Sequence, residues 1–239
     1  EFCDKVDSLP FADRVIGYFL AAGGTSEWYP VNVICDREKN KYGDFSPSFL
    51  KFYGEFLRKR YGTEDKLKKA WKKEDASFER PVIPNVQDQY FIFMEEGIMD
   101  AMKYYESAER IIGKNIDMDA EKAANLGVFL NMTDYRYVAD FYDAFHEATA
   151  EAIIYFARLL KECYAGKIVG AFYGSYGCTD FFNSSTATST LPILDSGYVD
   201  FLAAPGVYNN REPGGSVAQR EMQDSFRLRG QMFVAEEDS

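Results

Sequence analysis

Four short apolar runs along the chain predict buried β-strands. They cover residues 15–22, 168–173, 199–204 and 232–235. Each run is rich in Val, Ile, Phe, Leu or Ala and lacks polar alternation, which is typical of strands buried on both faces. Small, polar or charged residues follow each run at once, so every strand is predicted to end in a polar loop.

Two helices with clear end signals lie between the first two runs. Ser46 and Pro47 supply an N-cap and a first-turn proline, and the helix that follows ends at Gly62. Thr63 begins a second helix, which continues through Trp71. Residues 81–135 predict further helices, which we interpret as an insertion.

The longest predicted helix covers about 137–163. His146 is the only histidine of the chain and falls off the apolar stripe of this helix, so we expect it on the surface. The stripe repeats at three-to-four spacing and consists of Phe141, Phe145, Ala148, Ala152, Phe156, Leu159 and Cys163.

Strands that alternate with helices indicate parallel βα units, so the predicted fold class is α/β. In such folds the functional groups lie on loops at the carboxyl ends of the strands. The polar clusters of this chain all follow predicted strands: GGTSEWY, GSYGCTD, PGVYNNR and EEDS. These loops are therefore where we expect the functional site.

The composition indicates a globular protein with a substantial core and a net negative charge. The chain is 46% apolar and 16% aromatic, which is enough to bury a substantial core. Its formal charge of −11 and pI of about 4.7 argue against a nucleic acid or an anionic membrane surface as partner. No apolar run reaches the roughly 18 residues of a membrane span.

The four cysteines, Cys3, Cys35, Cys163 and Cys178, are scattered without a CxxC pair. Their spacing fits neither a zinc site nor a dense disulfide framework, so we interpret them as lone buried thiols. With one histidine and no GxSxG, GxGxxG or P-loop pattern, metal-dependent, serine-nucleophile and nucleotide chemistry have little support. We expect no metal and no organic cofactor.

Carboxylates follow the first and the last predicted strand. Glu27 comes after the first, and Glu236, Glu237 and Asp238 come at the end of the last. Glycosidic bond cleavage needs two carboxyl groups that face each other across a sugar. A parallel barrel would bring these distant residues to one rim, which favours a carbohydrate as substrate.

Aromatic and polar side chains share the same loops. Each aromatic alone is explained by packing, and a single loop glutamate by solvation, but their coincidence at several strand ends favours a sugar site. Two alternatives remain: a non-catalytic carbohydrate-binding or scaffold protein on a barrel fold, and an α/β domain in which Glu27 is a plain loop carboxylate. The predicted substrate-binding residues are Trp28, Tyr29, Tyr173, Tyr176, Tyr208 and Arg211, with Asn209 as a further hydrogen-bonding group.

Five segments, taken in order, carry a resemblance to a known family: VIGYFLAAGGTSEWY, DFSPSFLKFYGEFLRKRYGTEDKLKKAW, KIVGAFYGSYG, VDFLAAPGVYNNREPGG and DSFRLRGQMFVAEEDS. They resemble glycoside hydrolase family 42 and its β-galactosidase-like enzymes. The resemblance implies a (β/α)8 TIM barrel and a retaining, two-glutamate hydrolysis of a β-linked, galactose-type sugar. It implies no cofactor, and it leaves a homo-oligomer of the full-length parent open.

The resemblance also implies roles for particular residues. The family's acid/base lies at the end of the fourth strand, which here is Glu27, and its nucleophile at the end of the seventh. We place the nucleophile at Glu236, with Glu237 as the alternative and as a further substrate contact. Ser26 stands where related barrels usually have an Asn that contacts the sugar 2-hydroxyl. Cys35 alone cannot form the cysteine zinc cluster that some family members carry.

This mapping predicts that residues 1–239 are a partial catalytic barrel, from about strand four to strand seven. An open half-barrel exposes strand edges and apolar surface. We therefore expect the polypeptide alone to be inactive or poorly stable. Composition and motifs leave its compartment unassigned.

Overall fold

The structure, a computed structural model, describes residues 1–22, 27–28, 44–84, 133–174, 188–206, 212–215 and 222–236. The chain divides into two compact units. The first, here called the sheet unit, consists of Glu1–Val33 and Phe145–Ser239, and the second unit is Ile34–Ala144. Most of the predicted insertion at 81–135 lies outside the described residues.

The described helices and strands alternate in part as the sequence predicts. A 3-10 turn at Ala12–Arg14 precedes the first strand. In chain order the elements are α1 (Phe2–Asp7), β1 (Gly17–Leu20), α2 (Pro47–Tyr61), α3 (Glu64–Trp71), α4 (Arg136–Cys163), β2 (Ile168–Phe172), α5 (Thr190–Asp195), β3 (Phe201–Pro205), α6 (Gln223–Arg227) and β4 (Met232–Glu236).

The four strands form one parallel sheet in the order β1-β2-β3-β4. The α/β class and all four predicted strands are confirmed, with small shifts at their ends. Each strand pairs with the next one along the chain, as consecutive strands of a βα barrel do. A closed (β/α)8 barrel is not shown by these strands and stays a prediction.

Helices cover one face of the sheet and build the core of the sheet unit. Tyr18, Leu20 and Phe233 pack against this core from the outer strands. Because β2 and β3 lie between two neighbours, their residues are the most deeply buried. The core consists of Ala150, Ile153, Ala157, Leu160, Val169, Ala171, Tyr173, Ile193, Leu194, Val199, Leu202 and Phe226.

The opposite face of the sheet carries an aromatic cluster around a glycine. Phe19, Gly170 and Phe201 stand side by side on β1, β2 and β3. Since Gly170 has no side chain, the rings of Phe19 and Phe201 stack above it with centroids 5.6 Å apart. The Phe19 ring is 50% exposed, and Met232 on β4 is 49% exposed. The prediction of burial on both faces is therefore wrong for the outer strands in the described structure.

The apolar stripe predicted for α4 is wrong in its second half. Phe156, Leu159 and Cys163 are exposed, and the buried line consists of His146, Ala150, Ile153, Ala157 and Leu160. The expected surface position of His146 is also wrong, because its side chain is 2% exposed. The helix carries apolar residues on several sides, and packing in the core of the sheet unit buries the Ala150–Ala157 side.

Local signals set the ends of α2 and α3 in the second unit, as predicted. The Ser46 hydroxyl accepts a hydrogen bond from the Phe49 N–H (3.2 Å), and α2 ends at Gly62 with a φ of 76°. The Thr63 hydroxyl accepts from the Lys66 N–H (3.4 Å) at the start of α3. These caps satisfy backbone groups that a helix end leaves open.

A buried carboxylate links the helices of the second unit. Asp140 of α4 is fully buried and accepts hydrogen bonds from Arg60 Nη1 (2.7 Å), Trp71 Nε1 (2.7 Å) and the Tyr61 hydroxyl. Arg136 Nε lies 3.0 Å from the same carboxylate. The charge of Asp140 is thus balanced by two guanidinium groups from α2 and α4.

We predict that Asp140→Asn lowers the free energy of unfolding by about 3 kcal/mol, because the neutral amide removes the buried counter-charge of Arg136 and leaves Arg60 paired only with the exposed Asp143. Asp143 pairs with the same Arg60 but its side chain is 54% exposed, so Asp143→Asn should cost about 1 kcal/mol or less. Urea unfolding of both variants measures the difference. Equal losses of unfolding free energy in the two variants would contradict a larger stabilising role for Asp140 than for Asp143.

We predict that Gly170→Ala destabilises the sheet unit by about 1–3 kcal/mol, since the new methyl group overpacks the aromatic cluster. A Cβ atom at Gly170 would lie 2.2 Å from the Phe201 ring. Gly166 precedes β2 and has open space around its Cβ position. Gly166→Ala is therefore the matched control and should be neutral or slightly stabilising. Thermal and urea unfolding compare the two variants. An unchanged free energy of unfolding in Gly170→Ala would contradict the tight packing of the aromatic cluster over Gly170.

Candidate functional site

Parallel pairing brings the carboxyl ends of all four described strands to one edge of the sheet. Here this edge is called the carboxyl edge. It is where α/β proteins bind ligands, because the loops that follow the strands converge there. The sequence predicts that the catalytic and substrate-binding side chains lie at this carboxyl edge.

Trp28 fastens the segment after β1 to the carboxyl edge. Its backbone N–H donates to the carbonyl oxygen of Phe172, the last residue of β2 (2.9 Å). Its indole N–H donates to the carbonyl oxygen of Leu20, the last residue of β1 (3.1 Å). The Trp28 ring also packs near Phe156 of α4, with centroids 6.2 Å apart. Glu27 is the preceding residue and is partly buried, so its backbone position is set at the ends of β1 and β2.

Glu236 is the last residue of β4 and reaches the same edge from the other side of the sheet. Its carbonyl oxygen accepts a hydrogen bond from the Gly206 N–H, just after β3 (3.2 Å). Successive residues of a strand face opposite sides, and Phe233 packs on the helix-covered core. Glu236 therefore shares the open face with Met232 and Val234, and its side chain is exposed.

The distance between the two outer strands limits what this pair can do. Three inter-strand spacings separate β1 from β4, which is roughly 14 Å in a flat sheet. A retaining glycosidase needs its two carboxyl groups about 5–5.5 Å apart. A catalytic pair of Glu27 and Glu236 therefore requires a curled sheet, as in a closed barrel.

The aromatic residues at this edge pack into the protein where the structure describes them. Tyr173 follows β2, but its ring is 1% exposed and belongs to the helix-covered core. Its hydroxyl accepts a hydrogen bond from the Ser189 N–H (3.1 Å). Trp28 is partly buried against the same core. The other predicted substrate contacts, Ser26, Tyr29, Tyr176, Tyr208, Arg211 and Glu237, lie outside the described residues.

Two features of this edge had no signal in the sequence. These are the carbonyl oxygens of Leu20 and Phe172 that bind Trp28, because backbone acceptors carry no residue-type pattern.

In the described ranges, no group of three or more His, Cys, Asp or Glu residues could hold a metal ion. Across those same ranges, no helix has the length and apolar character needed to cross a membrane.

Comparisons with known proteins leave the family open. No family model matches the chain, so membership of glycoside hydrolase family 42 stays a prediction. No curated protein matches it either. Among solved structures, the chain is similar to an agarase, AgWH50C, with 11% sequence identity and a TM-score of 0.41. That match covers 85% of this chain and 23% of the agarase chain.

We predict that Trp28→Phe lowers the free energy of unfolding by about 1–2 kcal/mol, because it removes the donor to the Leu20 carbonyl oxygen while keeping an aromatic ring. Tyr155→Phe is the matched control on α4: Tyr155 is 49% exposed beside Phe156 and should tolerate the change within about 0.5 kcal/mol. Urea unfolding measures both variants. A neutral Trp28→Phe would show that the indole hydrogen bond does not hold this segment.

Proposed function

We propose that the chain is the catalytic portion of a retaining glycoside hydrolase that acts on a β-linked, galactose-type sugar. One observation carries the proposal. Glu27 follows β1 and Glu236 ends β4, which are the two outer described strands of one parallel sheet, so both residues lie at the same edge. This edge is where a βα barrel assembles its active site from several strand ends.

In the proposed mechanism, the two glutamates divide the work of a double displacement. The protonated Glu27 carboxyl gives its proton to the glycosidic oxygen as that bond breaks. The ionised Glu236 carboxylate attacks the anomeric carbon and forms a covalent glycosyl ester. Glu27, now ionised, takes a proton from a water molecule whose oxygen attacks the same carbon and releases Glu236. The sugar keeps its anomeric configuration because it is inverted twice.

The surroundings of the pair suit these two roles. A general acid works best from a fixed position, and the three contacts of Trp28 hold the residue next to Glu27. A nucleophile needs access to the anomeric carbon, and Glu236 is exposed on the open face. We further propose that the remaining loop residues form the sugar-binding walls: Ser26, Tyr29, Tyr176, Tyr208, Arg211 and Glu237.

Azide rescue tests the proposal and separates the two roles. Glu27→Ala and Glu236→Ala are made in a polypeptide that contains this chain within a complete barrel, and are assayed on an activated aryl β-galactoside. Each variant should lose at least about 100-fold in kcat: Glu27→Ala because the second step loses its general base, and Glu236→Ala because the glycosyl ester cannot form. Azide should restore Glu27→Ala to a β-glycosyl azide of retained configuration, and Glu236→Ala to an α-glycosyl azide of inverted configuration.

Glu237→Ala is the matched control for the nucleophile, because it removes the neighbouring carboxylate. Inverted azide product from Glu237→Ala, with normal turnover in Glu236→Ala, would move the nucleophile to Glu237. Unimpaired turnover in Glu27→Ala would contradict its assignment as acid/base. Titration with galactosides measures binding in parallel; binding without any hydrolysis by the unaltered protein would favour the non-catalytic carbohydrate-binding alternative.

A further inference from the structure

Two cysteines that are far apart in sequence meet at one end of α4. Cys3 lies in α1, and Cys163 is the last residue of α4. The hydroxyl of Tyr164, the residue after Cys163, lies 2.8 Å from the Cys3 carbonyl oxygen. The neighbouring Cys3 thiol raises the pKa of Cys163. Cys163 is exposed and Cys3 is partly exposed. The sequence-based interpretation as lone buried thiols is therefore wrong for these two residues.

Tyr164 holds the two cysteine-bearing elements together. It directly follows Cys163, and its hydroxyl lies 2.8 Å from the Cys3 carbonyl oxygen and 2.9 Å from Asp7 Oδ1. One phenol proton serves these two acceptors, both of which belong to α1. The Tyr164 ring stacks on Tyr18 of β1, with centroids 5.2 Å apart. The contact between the cysteines thus has support that does not depend on the sulfur atoms.

A second group of contacts fastens the segment between α1 and β1. Lys167 donates from Nζ to the carbonyl oxygens of Ala12 (3.3 Å) and Val15. The Phe2 ring meets Tyr18 edge to face, with centroids 5.8 Å apart. The first part of the chain is therefore fastened to the end of α4 by polar and aromatic contacts, most of them near the surface.

We propose that Cys3 and Cys163 are a redox modification site, a dithiol pair that closes to a disulfide and locks α1 onto the end of α4. Both elements can adjust, because Cys3 lies in a six-residue helix and Cys163 ends a long one. A disulfide requires an S–S distance of about 2.05 Å, so the two helix ends must bring the neighbouring sulfurs together.

The oxidant is a low-molecular-weight disulfide, such as oxidised glutathione. One protein thiolate attacks a glutathione sulfur, forms a mixed disulfide and releases one reduced glutathione. The second protein thiolate attacks the protein sulfur of that mixed disulfide and releases the other. The protein loses two electrons and two protons, and the oxidant gains them. Because the thiolate is the reactive form, the raised pKa of Cys163 makes the exchange faster as pH rises.

Closing this bond joins residues at opposite ends of a long stretch of chain. A cross-link of that kind favours the folded state by restricting the unfolded chain. The segment from α1 to β1 would then be held covalently in addition to the Tyr164 and Lys167 contacts. The redox state of the pair thus sets how firmly the start of β1 is attached to the sheet unit.

Exchange with glutathione tests the proposal quantitatively. The reduced protein is equilibrated in glutathione redox buffers at pH 8, without guanidinium for the native state and with it for the denatured state. Free thiols are then alkylated, and tryptic peptides are identified by mass. The equilibrium between dithiol and disulfide gives the effective concentration of one thiol at the other. The expected product links residues 1–5 to residues 162–167. The effective concentration of this pair should be about 30- to 1000-fold higher in the native protein than in the denatured one. A native value at or below the denatured value would overturn the proposal.

Variants identify the pair and its support. Cys3→Ser or Cys163→Ser should abolish the linked peptide, whereas Cys35→Ser and Cys178→Ser should leave it unchanged. Tyr164→Phe should lower the native effective concentration several-fold, because it removes the hydroxyl that holds α1. Tyr198→Phe is the control, since Tyr198 is 36% exposed elsewhere on the sheet unit. Linked peptides found only for other cysteine combinations would also overturn the proposal.

Discussion

The packing of α4 against the sheet is the constraint on which the rest of the sheet unit depends. Ala150, Ile153 and Ala157 of α4 share one buried core cluster with Val169 and Ala171 of β2. A strand shifted by one residue would turn its buried side chains to the opposite face. The helix therefore fixes which residues of β2 are buried, and through β2 the register of the neighbouring parallel strands.

That register has consequences at both the open face and the carboxyl edge. On the open face it aligns Phe19, Gly170 and Phe201, so that two aromatic rings cover a glycine. At the carboxyl edge it brings Leu20 and Phe172 into positions where their carbonyl oxygens bind Trp28. A closed barrel, which stays a prediction, would bury the apolar open face and reduce the separation of Glu27 and Glu236.

The second unit is stabilised differently, around a charge rather than an apolar contact. Asp140 would be costly to bury alone, but Arg60 and Arg136 balance it and Trp71 fills a further acceptor site. The same cluster raises the pKa of Tyr53, mainly because that hydroxyl is buried and further because Asp140 lies nearby. The described part of this unit therefore depends on the pairing of the buried Asp140 carboxylate.

The sequence by itself determined the features that short-range rules control. Apolar runs predicted the four strands, Ser46 and Thr63 predicted two helix starts, and Gly62 predicted a helix end, because propensity and capping act over a few residues. It also identified Glu27 and Glu236 as carboxylates that follow strands. Their catalytic roles rest on a resemblance and stay predictions.

Only the tertiary structure decided which side of each element is buried and which distant residues meet. His146 and Tyr173 are buried because α4 and β2 pack through those sides, whereas Phe156 and Leu159 of the same apolar helix are exposed. Cys3 and Cys163 meet because α1 returns to the end of α4. Hydrophobic patterns are local and leave several faces equivalent on an apolar helix. The choice between those faces is a property of packing over the whole chain.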